Sequence, residues 1–456
     1  MNPRAVLLQG PITKQLLGMA WPVLVVLALQ TFVAVAETWF VSFLGTDALA
    51  GVALVFPLFM LMTMMSNGAI GGGVSSAVAR ALGAGRARDA QSLAWHAAVL
   101  GAGFGAVFMA AIWMFGPALF RAMGAQGETL KAAVLYANFV FLSAIPGWVA
   151  NLLAAALRGA GNVRVPAIVT AVGSLATLVL SPLFIFGWGP VPRMGVAGAG
   201  VALVCFNVGA AAVLALYMRS AKSVLRLQRT TLGRRLFGEI LKVGLLSAIG
   251  TVTANLTVVV TTGLVGGYGR DAIAGYGLAS RLDYLLIPLL FALGTASVTL
   301  VGVNIGAGQR ERAGRIAWTG ALVAGMATAA IGFAAATWPQ AWLHLFTSEP
   351  AVVEAGAAYL ARVAPFYLFF GVGMSLYFAS QGAGRMAWPF AAGLVRLAIV
   401  WGLGYGWISN QGSLEGLYWI AAAGYVAFGV INVFALASGR SWGRAGAAPA
   451  RLAAAR

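Results

Sequence analysis

The stretch Gly83-Ala84-Gly85 decides the fold, because it returns as Gly306-Ala307-Gly308 at an offset of 223 residues. The same offset relates Tyr136 to Tyr359. Further matches are Ala94-Trp95 with Ala317-Trp318, Gly159-Ala160-Gly161 with Gly382-Ala383-Gly384, Pro166 with Pro389 and, at an offset of 224, Asp47-Ala48 with Asp271-Ala272. The chain is therefore an internal duplication, a plan that is common among transporters.

The composition around this repeat is that of a membrane protein. The 456 residues are 61% hydrophobic and only 9% charged, with a mean hydropathy of +0.89. Apolar stretches of about 20 residues recur along the chain, and each is long enough to cross a bilayer as a helix. We expect an all-α, polytopic membrane protein with about 12 transmembrane helices. Their predicted spans are 15–43, 50–81, 91–116, 129–154, 164–187, 196–218, 240–267, 272–304, 315–338, 353–379, 387–408 and 416–438.

The basic residues define the orientation of these helices. Most of the 29 Lys and Arg residues lie in the termini and in alternate connections, which all fall on one side of the membrane. The connections on the other side hold only Arg121, Lys131, Arg193 and Arg270. Because basic loops stay in the cytoplasm, both termini are predicted there, in a multi-pass protein of a bacterial inner membrane. Each half has an even number of helices, so the halves share one orientation and form a parallel repeat.

This topology divides the chain into four segments. Residues 1–218 form an N-terminal lobe of six helices, residues 219–239 form a basic cytoplasmic linker, and residues 240–438 form a C-terminal lobe of six helices. The tail 439–456 is rich in Ala, Gly and Arg and is predicted to be disordered and cytoplasmic.

The sequence lacks the residues that several classes of function require. The net charge of +18 is spread over short loops, without a basic face for nucleic acid. Cys205 is the single cysteine, and neither His96 nor His344 has another metal ligand at coordination spacing. Gly71-Gly72-Gly73 is not a phosphate loop, because no Lys-Ser or Lys-Thr follows it. We expect no metal site, no cofactor and no enzymatic activity.

Two acidic residues, Glu37 and Asp283, fall inside predicted helices, whereas loops or helix ends accommodate the others. An ionised side chain within the bilayer costs about 2.5–3.5 kcal/mol, so each is a candidate functional residue. A low dielectric disfavours the charged form of a carboxyl group, which lets the group exchange a proton near neutral pH. Gln30 lies two turns before Glu37 on nearly the same helix face. The alternatives are that Glu37 reaches water at the outer helix end and that Asp283 reaches water or lipid headgroups.

Three arginines also fall inside predicted helices. Arg281 is two residues from Asp283, and residues at that spacing do not face each other on a helix. Arg362 and Arg396 lie deeper, and each needs a partner. The acids that the sequence offers for them are Asp283 and Glu354.

An ordered series of local patterns resembles the multidrug and toxic-compound extrusion (MATE) transporters over nearly the whole chain. The series consists of Glu37–Gly45 with Ala48-Leu49-Ala50, Ala81–Gly85, Leu157–Asn162 with Pro166, Pro182–Gly187 and Gly195–Gly200. The resemblance implies two six-helix lobes in a V shape, around a cavity that opens to each side of the membrane in turn. It also implies export of bulky, often cationic compounds in exchange for H⁺ or Na⁺.

The resemblance also assigns roles to single residues. Glu37 stands where these transporters usually have Asp in helix 1, and Pro22 stands where some members bend that helix on protonation. Thr177 and Ser181 replace the usual Asn and Asp of helix 5, which favours H⁺ over Na⁺ but leaves Na⁺ open. Helix 7 lacks the Glu of another branch of the family, and Ala254 and Asn255 stand in its place. The predicted ion-coupling residues are Glu37, Asp283, Gln30, Thr177 and Ser181.

Adaptable side chains mark a candidate substrate cavity. Methionine adapts its shape and aromatic rings attract cations, which suits a permissive site. The predicted cavity residues are Met60, Met64, Asn67, Asn255, Phe291 and Tyr367. The alternative for each of them is a packed or lipid-facing position.

The sequence thus predicts a secondary-active multidrug antiporter that acts as a monomer on small organic substrates, surrounded by membrane lipids and without nucleic acid. Two alternatives stay open. A lipid-linked oligosaccharide flippase of the same superfamily would need a basic central cavity. An integral-membrane enzyme acting on lipids would need clustered Asp, His or Arg residues.

Overall fold

The computed structural model describes residues 3–440 and residue 442. Within these residues the protein is all-α and has no strand. Among them, 11 helices are long and apolar enough to cross a membrane, or 12 if one bent pair is a single span. The predicted polytopic all-α class is confirmed. The predicted tail 439–456 lies outside the described residues, apart from 439, 440 and 442.

We label the spanning helices in chain order. They are α1 (Ile12–Ser42), α2 (Thr46–Gly83), α3 (Ala87–Ala122), α4 (Gly127–Leu142 with Ala144–Gly159), α5 (Arg164–Phe186), α6 (Val196–Arg219), α7 (Arg234–Gly266), α8 (Arg270–Gly306), α9 (Arg310–Thr337), α10 (Pro350–Ala383), α11 (Ala387–Ser409) and α12 (Leu414–Ala437). Two short helices, Pro3–Gln9 and Pro339–Leu343, lie outside these spans. Each predicted span falls on one of these twelve, and the predicted span 129–154 covers both arms of α4.

The turns that precede α2 and α8 have the same backbone conformation. Gly45 and Gly269 end these turns with φ angles of 103° and 102°, which residues with a side chain rarely adopt. Asp47 and Asp271 follow in the first helical turn, where a carboxylate interacts favourably with the helix dipole. The repeat in the sequence is therefore also a repeat of the backbone.

The fourth helix of each half is interrupted at the corresponding point. α4 bends by 43° at Ser143, between its two arms. In α10, the 3₁₀ turn Ala364–Phe366 contains Pro365, which has no N–H group to continue the helical ladder. This turn separates Tyr359 from Tyr367, two residues of the site described below.

The helices form two compact units. The first unit comprises Gly18–Leu245, and the second unit comprises Met1–Leu17 together with Leu246–Arg456. Both divisions fall inside helices, the first inside α1 and the second inside α7. Each of these continuous helices therefore begins in one unit and continues in the other.

The first unit packs through small residues around a buried tryptophan. Trp148 is fully buried and stacks on Phe104, with ring centroids 5.1 Å apart. A Cβ atom at Gly105 of α3 would lie only 2.6 Å from the Cα atom of Ile145 in α4. Such close approach of backbones through small residues is the usual way in which membrane helices pack.

The connection between α6 and α7 is anchored on the first unit. Leu225 and Leu227 are buried in the core of that unit. The N–H group of Gly233 donates to Nε2 of the buried His96 at 2.9 Å, and Nδ1 lies 2.8 Å from the carbonyl oxygen of Ser92. Because a carbonyl oxygen only accepts, Nδ1 carries the hydrogen and the imidazole is neutral.

Replacing His96 with alanine is expected to loosen this connection. The change removes the acceptor of the Gly233 N–H group, which costs about 1–3 kcal/mol when a buried partner is lost. Trypsin should then cut the purified protein after the exposed Arg226 and Arg229 faster than it cuts the wild type. His344→Ala, at the other histidine, is the control, and equal cleavage of both variants would contradict the anchoring role of His96.

Candidate functional site

Glu37 is a half-buried residue on α1 of the first unit. Ser181 of α5 and Tyr136 of α4 lie next to it. The Ser181 hydroxyl is buried and has no hydrogen-bond partner of ordinary geometry among the described residues. It can therefore turn to donate to the Glu37 carboxylate, since a hydroxyl hydrogen rotates about its C–O bond.

The other residues predicted near Glu37 have different surroundings. Thr177 is buried one turn before Ser181, and its hydroxyl donates to the Gly173 carbonyl oxygen of its own helix at 2.9 Å. Gln30 has an exposed side chain. Pro22 lies inside α1, which continues from Ile12 to Ser42 as one helix.

Three tyrosine hydroxyl groups converge on Asp283 of α8 in the second unit. Tyr359 donates to Oδ2 at 2.6 Å, and Tyr425 donates to the same oxygen at 3.1 Å. Tyr367 donates to Oδ1. The tyrosines are buried, whereas Asp283 is partly exposed. We call these four residues the Asp283 site.

This arrangement leaves room for one proton. A carboxylate has about four lone-pair positions for hydrogen bonds, and the tyrosines occupy three of those of Asp283. The remaining position can accept a hydrogen ion without loss of a tyrosine contact. The Asp283 site can therefore gain and lose a charge while its geometry is kept.

Neighbouring rings hold the tyrosines in place. Tyr276 and Tyr418 both pack edge-on against Tyr359, and each pair has ring centroids 5.2 Å apart. The rings of Tyr367 and Tyr425 meet edge-on at 6.2 Å. Edge-to-face contacts are the favoured geometry of aromatic pairs. The hydroxyl groups are thus positioned before any proton arrives.

Arg396 of α11 is the charged residue next to the Asp283 site. Its guanidinium carbon lies 4.4 Å from the ring centroid of Tyr425 and 5.6 Å from that of Phe370, and its charge acts on Asp283. Its Nε atom is buried without a hydrogen-bond partner, and within the described part of the chain it forms no salt bridge. The π-helical turn Ile399–Leu403 follows it, and such turns are frequent at functional sites.

The other two arginines of the spanning helices have partners that the sequence did not indicate. Arg281 lies over the ring of Phe346, at 5.3 Å from its centroid. Arg362 forms a salt bridge with Glu415 at 2.5 Å, rather than with either acid considered from the sequence. Within the described residues, neither of these two arginines forms a salt bridge with Asp283.

The residues predicted for the substrate cavity are divided between the units. Met60, Met64 and Asn67 belong to the first unit, and Asn255, Phe291 and Tyr367 belong to the second. Asn67 lies in a π-helical turn, Met65–Ile70, and Asn255 is exposed. Phe291 packs edge-on against Phe378 at 6.0 Å, and Tyr367 belongs to the Asp283 site. Their role in substrate binding stays a prediction.

Sequence reasoning missed the tyrosines as partners of the acids. The repeat contained a signal, because Tyr136 and Tyr359 correspond at the offset of 223 residues. Tyr136 lies beside Glu37, and Tyr359 hydrogen-bonds to Asp283. A hydroxyl that recurs at equivalent positions of two apolar helices is thus a candidate partner for the acid of each half.

Comparison with known proteins gives one family for both halves. The family model described as MatE matches residues 22–183 and 247–405. The FAD transporter of Shewanella oneidensis is 27% identical, over 78% of this chain and 78% of its own length. The probable multidrug resistance protein NorM of Thermotoga maritima is 26% identical, over 83% of this chain and 82% of its own length.

A solved structure has the same fold. A MOP superfamily transporter from Pyrococcus furiosus superposes with a TM-score of 0.87, covering 96% of this chain and 98% of that chain. Its sequence is 23% identical, so the likeness concerns the fold alone.

Proposed function

This chain belongs to the MatE family, whose model covers most of both halves, and we propose that it exports small organic compounds in exchange for H⁺. It is a multi-pass membrane transporter and not an enzyme. The relative named as a probable multidrug resistance protein supports drugs as the substrate class, and the resemblance to MATE transporters implies that they are bulky and often cationic.

The Asp283 site is the observation that carries the proposal of H⁺ coupling. It holds a carboxyl group on a spanning helix, with three hydroxyl donors and one position left for a proton. Glu37, next to Ser181, is the acid of the first unit, although the repeat does not relate its position on α1 to that of Asp283 on α8. One proton-exchanging carboxyl group in each unit can link proton entry to alternating access.

The backbone around both acids favours H⁺ over Na⁺. Sodium sites in transporters commonly use carbonyl groups that an unwound helix has set free. Glu37 and Asp283 lie in the helices Ile12–Ser42 and Arg270–Gly306, neither of which is unwound, so most of their carbonyl groups serve the helical ladder. Pro22 and Pro288 each leave one carbonyl group without its helical donor, at Gly18 and at Tyr284. The side chains beside the two acids are hydroxyl groups that can donate to a carboxylate.

The proposed orientation, membrane and oligomeric state rest on the distribution of basic residues and on the internal repeat. Most basic residues lie in the termini and in alternate connections, which supports cytoplasmic termini and a bacterial inner membrane. A single chain already contains both repeats, which supports a monomer as the working unit.

The coupling ion can be tested in proteoliposomes. Vesicles with an acidic interior, diluted into alkaline medium, should accumulate ethidium because H⁺ leaves as the dye enters. An outward Na⁺ gradient at equal pH should give no accumulation above that of protein-free vesicles. Accumulation driven by Na⁺ alone would contradict H⁺ coupling, and absence of accumulation under either gradient would contradict ethidium export.

A flavin dinucleotide is a second substrate class, favoured by the relative named as an FAD transporter. Unlabelled FAD should slow ethidium accumulation in the same vesicles if the two compounds share a path. A flippase for lipid-linked oligosaccharides is less well supported. Two of the three arginines in the spanning helices are engaged by Phe346 and Glu415.

A further inference from the structure

Arg396 carries a charge that its surroundings do not neutralise directly. A guanidinium group within a membrane span is costly unless it is paired. Arg362 meets this requirement through Glu415, at 2.5 Å. Arg396 instead rests on the rings of Tyr425 and Phe370, and within residues 3–440 it makes no salt bridge.

The charge of this region depends on a single proton. The titratable groups that the structure brings against Asp283 are Tyr359, Tyr367, Tyr425, Arg396, Tyr276 and Tyr284. Among these only Arg396 is a cation, and the tyrosines are neutral at physiological pH. An ionised Asp283 therefore balances Arg396, whereas a protonated Asp283 leaves one positive charge without a counterion.

The rings that hold Arg396 are the rings that an organic cation needs. A cation above the face of tyrosine or phenylalanine is attracted by the ring quadrupole, whether it is a guanidinium or a ligand. The guanidinium carbon lies within 4.4 Å of the Tyr425 centroid, so it occupies the position of such a ligand. Among the described residues no salt bridge fixes this cation–π contact, and the buried Nε atom of Arg396 has no acceptor.

We propose that Arg396 expels an organic cation from Tyr425 and Phe370 when Asp283 takes up a proton. While Asp283 is ionised, the guanidinium is drawn towards the carboxylate and the rings are open to the substrate. Once Asp283 is neutral, the guanidinium returns to the rings and its positive charge repels the substrate. The mechanism rests on the proposed exchange of H⁺ for substrate, and it makes Arg396 a specificity-determining residue for cations.

The test is equilibrium binding of ethidium to the full-length protein in nanodiscs, above and below neutral pH. Wild type should bind ethidium more weakly at acidic pH. Arg396→Gln should bind it on the order of tenfold more tightly at acidic pH, because the internal competitor is gone. Arg396→Lys, which keeps the charge, should resemble the wild type.

A double variant separates expulsion by Arg396 from simple attraction by Asp283. Asp283→Asn fixes the neutral state and should weaken ethidium binding at both pH values. Adding Arg396→Gln to it should restore binding to that of Arg396→Gln alone at acidic pH. A double variant that binds as weakly as Asp283→Asn would overturn the role of Arg396 and leave H⁺ coupling through Asp283 intact. Wild-type binding by Asp283→Asn would instead contradict the proposed coupling residue.

Two controls distinguish a charge effect from a change of shape. Each variant is compared with the wild type by gel-filtration profile and melting temperature, so that a folding defect is recognised. An uncharged dye of similar size should bind all variants equally if Arg396 acts through its charge. A tenfold gain for the uncharged dye in Arg396→Gln would overturn the proposal, because it would show that only space had been created.

Discussion

Export driven by a pH gradient should fall on the order of a hundredfold when Glu37 is replaced by glutamine. Glutamine keeps the length and the hydrogen-bonding capacity of the side chain, but it does not bind and release a proton. The glutamine side chain should therefore occupy the half-buried position of Glu37 beside Ser181, but it should not couple proton movement to export. The measurement is the initial rate of ethidium transport in everted vesicles under an imposed pH gradient.

Two further variants of α1 make this test specific. Thr38→Ala changes the neighbouring exposed residue, whose hydroxyl donates to Ala34 within the helix, and it should keep the wild-type rate. Glu37→Asp retains the carboxyl group with one methylene fewer, so transport should stay dependent on the pH gradient. Equal rates for Glu37→Gln and wild type would remove Glu37 from the coupling mechanism.

Replacing Gly332 with alanine is expected to lower the free energy of unfolding by about 3 kcal/mol. A Cβ atom at this buried position of α9 would lie 2.1 Å from the carbonyl oxygen of Ala364 and 3.2 Å from Cβ of Tyr367. Backbone cannot move aside as a flexible side chain can, so the 3₁₀ turn Ala364–Phe366 must shift. Because Tyr367 follows this turn, its hydrogen bond to Asp283 should weaken as well.

The same helix provides the control for this substitution. A Cβ atom at Gly314 of α9 would meet nothing within 4 Å. Gly314→Ala should therefore be neutral or should stabilise the protein by up to about 1 kcal/mol, since alanine favours the helix. Melting temperatures in the same detergent compare the two variants. Equal melting temperatures would show that α9 and α10 are not packed as closely as described.

Much of the fold follows from the sequence for simple physical reasons. Apolar stretches of bilayer length report helices directly, and the repeat of Gly83-Ala84-Gly85 reports the duplication. Glu37 and Asp283 stood out because charge within an apolar helix is rare. Each of these signals lies within a short segment of the chain, so a single sequence is enough to detect it.

The contacts of the candidate site could not be predicted in the same way. Asp283 meets Tyr359, Tyr367 and Tyr425, which lie 76, 84 and 142 residues further along the chain. No periodicity within one helix indicates which faces of α8, α10 and α12 meet. The π-helical turn after Arg396 also has no sequence signature, because it depends on packing around the helix.

The partner of Arg362 shows the limit of reasoning from depth. The sequence placed the arginine well inside a helix and offered two acids for it, Asp283 inside a helix and Glu354 near a helix end. The observed partner, Glu415, is at the start of α12, and its side chain is 59% exposed. A long arginine side chain reaches a helix end from within the helix, so the predicted depth of Arg362 did not indicate which acid it meets.

The opening turns of α1 and α7 have a consequence for each half of the chain. Residues 12–17 complete the unit that holds most of the second half, while residues 234–245 complete the unit of the first half. A protein with only one of the two halves would lack the helical turns that complete its own bundle. It would need the first helical turns of a second copy to complete it. Because one polypeptide contains both repeats, these turns are exchanged within the chain, and we expect neither half alone to form a complete bundle.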